Sequence, residues 1–191
     1  MRREDFEHVV AAAAEASGET EMIVVGSQAI LGSFPNAPAS MLRSMEADLY
    51  PLHHPEKADE IEGSLGDGSW FHRTHGYYAH GVGPETATLP TGWQARLIRV
   101  EVPPRAASRR RAVALCLEPH DLVLAKCVAG RERDWDFARE ALAHDLVNAD
   151  TLLRRVDDLP VAEADRRRIR EMLEGIRRQL VTRDGGDVAF R

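Results

Sequence analysis

Glu46 and Asp48 stand two residues apart in the short segment SMEADLYP, residues 44–51. On a β-strand, alternate side chains share a face with Cα atoms about 6.5–7 Å apart, so both carboxylates can point at one place. Two hard oxygen donors on a rigid strand are the ligand type magnesium takes. Upstream, MIVVGSQAILGS (residues 22–33) runs an apolar strand into Gly26 and Ser27 and then a short helix. Glycine lets a ligand approach the backbone, and a helix N-terminus offers unpaired N–H groups to an anion. Carboxylates for a divalent cation beside a turn for phosphate suit a nucleoside triphosphate with its magnesium, or with manganese in its place. A helix cap explains Ser27 equally well, and an exposed strand edge with solvated acids explains Glu46 and Asp48.

Lys126 lies among Val123, Leu124, Ala125, Cys127 and Val128. A lysine is seldom enclosed without an anionic partner, so this amine is either aimed at phosphate or snorkels to water along an apolar helix. The histidines His53, His54, His72, His75 and His80 lack the spacing of known zinc sites and read as polar surface or as one wall of a cleft. In the same region Trp70, Phe71, Tyr77 and Tyr78 can stack on a base, with core packing the simpler role for most of them.

The elements that must position these groups follow from pattern. Residues 5–16 form an alanine-rich helix stopped by Ser17-Gly18, and residues 22–25 and 45–50 form strands. Residues 55–65 are helical behind Pro55, and 66–92 are loop with short strands. Residues 95–102 alternate apolar and polar up to Pro103-Pro104, and 112–117 supply a hairpin partner. From Pro119 onward the periodicity is helical, over 119–129, 134–144, 150–156 and 163–181. Ile169, Met172, Leu173, Ile176 and Leu180 share one stripe of the last helix. This is an α/β (α+β) fold with an α/β core over 1–118, a helical region over 119–181 packed on it as one compact domain, and a flexible tail at 182–191.

The chain has 191 residues, 43% hydrophobic and 29% charged, as in ordinary globular proteins. No run reaches the roughly 20 apolar residues of a membrane span, and MRREDFEHVV does not read as a signal peptide. A cytoplasmic protein with no membrane partner is expected. Cys116 and Cys127 read as reduced core thiols. A net charge of −6 argues against a nucleic-acid footprint over the whole surface. The arginines cluster, however, at Arg105 with Arg109 to Arg111, at Arg131 with Arg133, at Arg154 with Arg155, and at Arg166 to Arg168 with Arg170; solvated helix faces account for most of these runs, and a local basic groove is the alternative.

Strand, Gly-Ser, helix, then a strand with carboxylates at alternate positions resembles the nucleotidyltransferase superfamily of the polymerase-beta type. The segment LEPHDLVLAKCVAGRERDWDFAREAL, residues 117–142, is similar to the lysine helix and following Arg-x-Arg/Lys-Asp stretch of AbiEii-like proteins. That group includes the MenT-type nucleotidyltransferase toxins of toxin–antitoxin systems. The resemblance, over roughly residues 20–145, implies a nucleotidyltransferase-like mixed sheet. It also implies transfer of a nucleoside monophosphate from an NTP to the 3′ end of tRNA, and a cognate antitoxin as partner. It assigns Gly26 and Ser27 to the triphosphate, and Glu46 and Asp48 to the metal. Glu101 would be a third carboxylate that binds metal or assists the attacking hydroxyl. Lys126, Arg131 and Arg133 fall to phosphate, and Asp134 would orient an arginine. The chain departs from the pattern in having Glu at 46 and a long stretch, SFPNAPASMLRS, between Ser27 and Glu46. Rival readings are a nucleotidyltransferase that modifies a partner protein, and a catalytically inactive member of the fold that acts by binding.

Overall fold

The computed structural model describes residues 1–104 and 110–186, without the side chains of 183–186. Arg105, Arg109 and the last five residues of the expected tail lie outside the described residues. Contacts divide the chain into two units, Met1–Ala87 with Trp93–Leu122, and Thr88–Gly92 with the residues from Val123 on.

The first unit is a mixed five-stranded sheet. Its strands are β1 (Glu21–Val24), β2 (Glu46–Pro51), β3 (Tyr78–Gly81), β4 (Ile98–Val102) and β5 (Ala112–Cys116), in the order β3-β2-β1-β5-β4. β1 pairs antiparallel with β2 and parallel with β5. β2 and β3 run parallel, while β4 and β5 form the antiparallel hairpin that the alternation in ARLIRVEV foretells. Helix α1 (Arg3–Ser17) buries Phe6, Val9, Val10, Ala13 and Ala14 and packs with α2 (Ala58–Leu65) against the sheet. Met22, Val24, Ala47, Leu49, Ala79 and Ala114 are fully buried on alternate strand positions. The intervening positions of β2 and β3 carry the polar groups.

Residues 66–92, expected as loop with short strands, contain the helix α3 (Trp70–His75) before β3. Its limits were written in the sequence: the Ser69 hydroxyl accepts from the His72 N–H at 3.1 Å, and Gly76 closes the helix at φ 76°, a left-handed turn that glycine adopts without strain. Phe71, His75 and Tyr77 pack with His8 of α1, whose Nδ1 lies 2.8 Å from the Tyr77 hydroxyl.

The second unit holds α5 (Glu132–Ala143), α6 (Ala149–Arg155) and α7 (Glu163–Gly186), and α4 (Pro119–Ala129) crosses into it. Ile169, Leu173 and Ile176 are buried as the stripe requires, whereas Met172 is 41% exposed. Helix α7 continues to Gly186, five residues beyond the expected end at 181. Among the described residues no helix is long and apolar enough to cross a membrane.

Candidate active site

β2 turns Glu46 and Asp48 to the face opposite the buried Ala47 and Leu49. In parallel register on β3, Tyr78 stands opposite Glu46 and His80 opposite Asp48. The Tyr78 hydroxyl donates to Glu46 Oε2 at 2.8 Å, and His80 Nδ1 lies 2.9 Å from Asp48 Oδ1. One ligand atom each from Glu46, Asp48 and His80 fall within 4.8 Å of one another. Two carboxylates and an imidazole at this spacing form a donor set that fits a divalent cation.

Burial, reinforced by the hydrogen bond to Glu46, pushes the Tyr78 phenol up to about 12, so it stays a donor at neutral pH. For His80, burial opposes the charged ring. The hydrogen bond and charge of Asp48, with Glu62 and Glu46 behind it, outweigh that and hold the ring above its ordinary value.

Gly26 is fixed here by close approach. A Cβ at residue 26 would fall 1.7 Å from Asp48 Oδ2, and the Val25 N–H donates to the Asp48 carbonyl at 3.0 Å. Ser27 opens a six-residue 3₁₀ helix, Ser27–Gly32. So short an element carries little macrodipole. Attraction for an anion at this turn rests on the local N–H groups and the Ser27 hydroxyl.

The long stretch before Glu46 is folded. Ala37 and Met41 are buried, and the Gln28 amide donates to the Ser44 carbonyl at 3.1 Å, tying the end of the loop to the start of the stretch. The Gln28 Oε1 is buried without a partner among the described residues. The extra length thus loops out and returns, leaving Gly26 seated against Asp48.

Glu101 is not brought to this cluster. It lies on β4, three strands from β2, about 14 Å at ordinary strand spacing. Its carboxylate accepts from Arg99 Nε at 2.9 Å. The hairpin with β5 sends it to the far edge, and His80, on the strand that does pair with β2, stands beside Asp48 instead. The sequence held a signal for this: Tyr78-x-His80 repeats the two-residue spacing of Glu46-x-Asp48.

In the second unit, Lys126, Arg131 and Asp134 come together. Asp134 is fully buried, with Lys126 Nζ 3.4 Å from Oδ1 and Arg131 Nε 2.6 Å from Oδ2. Asp134 also caps α5 by accepting from the Arg131 N–H at 3.3 Å. Burial opposes its charge, but the Arg131 and Lys126 cations hold its carboxyl below the usual range. Lys126 Nζ lies 5.4 Å from the centre of the Phe137 ring, a cation–π contact. Arg133 is exposed on α5.

A mixed sheet whose first strand ends in Gly-Ser, packed on an acidic pair at alternate positions of its neighbour, is a nucleotidyltransferase-like arrangement. Residues 4–183 match the family DUF6036, described as a nucleotidyltransferase of unknown function, and the chain belongs to that family. No curated protein and no solved structure matches it significantly.

Proposed function

We propose that this protein transfers a nucleoside monophosphate from an NTP to an acceptor hydroxyl at the 3′ end of tRNA, as the toxin of a toxin–antitoxin pair. The observation that carries the transfer reading is the cluster of Glu46, Asp48 and His80 with Gly26 seated on it, in a chain of a nucleotidyltransferase family. The acceptor and the biological role rest on the resemblance of residues 117–142 to AbiEii-like and MenT-type proteins.

Glu46, Asp48 and His80 would hold magnesium or manganese. Such an ion, when bound, draws charge from the phosphate oxygens. Ser27 and the backbone after Gly26 bind the β- and γ-phosphates. Tyr78 keeps the Glu46 carboxylate in one orientation by donating to it. The acceptor oxygen bonds to the α-phosphorus, the bond to the bridging oxygen breaks, and pyrophosphate leaves with its electron pair. The hydroxyl proton passes to water on the open face of the sheet. Within the helical unit, Asp134 fixes the positions of Lys126 and Arg131.

Incubation with magnesium, labelled NTPs and total tRNA tests this, with labelled RNA expected from wild type and none from Asp48→Ala. Label on a co-purifying protein instead would move the acceptor to a partner protein. Absence of any magnesium-dependent NTP binding would leave a binding protein without catalysis.

A further inference from the structure

The face of the sheet that bears Glu46 and Asp48 continues into an open cleft of about 580 Å³, within the range of about 300–1,000 Å³ usual for ligand sites. Its floor is Ile23, Tyr50 and Leu115, and Trp93 and Gln94 line it as well. Glu21 and Arg99, which form an ion pair, also border it. Tyr50 is two residues from Asp48 on the same strand and face, about 6.5–7 Å along.

We infer that this cleft seats the 3′-terminal nucleoside of a single-stranded RNA acceptor, the residue that carries the attacking hydroxyl. The inference rests on the transfer reading above and adds to it where the acceptor lies. Displacement at phosphorus runs in line, with nucleophile and leaving group on opposite sides. Gly26 sits against Asp48, the antiparallel register carries the chain from there toward the Glu46 end of β2, and Tyr50 lies beyond Asp48 in the other direction. A pyrophosphate leaving toward Ser27 requires attack from the side of Tyr50, where the cleft begins.

The chemistry of the lining chooses the occupant. Trp93, partly exposed, gives aromatic surface against which a planar heterocycle can stack above the buried Tyr50, and the Gln94 amide can donate to and accept from a base edge. Arg99 pairs with both Glu21 and Glu101, so one positive and two negative charges meet at this border. That balance disfavours a triphosphate and tolerates an uncharged base and ribose.

Binding of a short single-stranded oligoribonucleotide with a free 3′ hydroxyl, followed by anisotropy, and binding of ATP, CTP, GTP and UTP with magnesium, followed by calorimetry, test the inference on wild type, Trp93→Ala, Trp93→Phe and Gln94→Ala. Loss of one stacking partner should weaken oligoribonucleotide binding by about tenfold in Trp93→Ala. Trp93→Phe should restore most of it, and NTP affinity should stay within about twofold throughout. A fall in NTP affinity with unchanged oligoribonucleotide affinity would overturn the inference and put the NTP base in the cleft. Unchanged affinity for both in Trp93→Ala would overturn it outright. Thermal unfolding of each variant separates lost stacking from lost fold, and Gln94, exposed, gives a second readout that does not disturb the core. Because these are binding measurements, they stand whether or not label is transferred. Failure of the transfer reading would show instead as wild-type protein that binds no NTP and labels nothing.

Discussion

Asp48 Oδ2 occupies the space that a side chain at residue 26 would need, 1.7 Å from where its Cβ would lie. Gly26 has φ −81°, which any residue adopts, so the requirement for glycine is one of contact alone. Gly26→Ala should therefore fold, with a modest loss of stability, while displacing the carboxylate. A shift of about an ångström at a reacting centre lowers rate by about a hundredfold. Transfer kinetics, with circular dichroism as the folding control, check this.

His80 would give the proposed metal site a nitrogen donor, which manganese accepts more readily than magnesium does. Calorimetric titration should show tighter binding of manganese than of magnesium by wild type. His80→Asp, an all-oxygen set, should move the ratio toward magnesium, and His80→Ala should weaken both. Equal ratios in wild type and His80→Asp would remove His80 from the ligand set.

Glu101→Gln should leave the NTP affinity and the turnover within about twofold of wild type, because the side chain is tied to Arg99 on the opposite edge of the sheet. A loss comparable to that of Asp48→Ala would restore Glu101 to the site.

Asp134→Asn should destabilise the helical unit by about 3 kcal/mol, since it leaves the mostly enclosed Lys126 amine without its carboxylate. Denaturant unfolding measures this. The folded carboxyl lies below its unfolded value of 3.8. Its contribution is therefore complete above that value and disappears as pH falls through the lower folded value. Acid titration of wild type against Asp134→Asn should show the difference in stability shrinking below about pH 4.

Burial pushes both cysteine thiols, Cys116 and Cys127, up to about 12. At pH 8 an aromatic disulfide reagent should find no reactive thiol in the native protein and both after denaturation.

Much of this was legible in the chain because the signals were local. The strand at 22–25, the Gly-Ser turn, the Glu-x-Asp strand and the β4–β5 hairpin all rest on alternation and turn residues within a few positions. Their partnership was less so. Which strand lies beside β2 is a property of the sheet order, and that order put His80 rather than Glu101 next to Asp48. Helix α3 hid in a glycine-rich stretch because six residues show too little periodicity, although Ser69 and Gly76 marked both ends. Met172 shows the limit of a helical stripe: its sequence position fits the apolar face, but α7 leaves it in solvent.

The alternation of β2 sets a rule of parity for any relative of this chain. The loop at 33–45 can lengthen or shrink without moving the carboxylates, since its ends are pinned. A one-residue slip in the register of β2 would instead exchange the two faces, sending Ala47 and Leu49 into water and two acids into the hydrocarbon layer. Drift in loop length with strict conservation of odd and even positions in the strand is the evolutionary signature this architecture imposes.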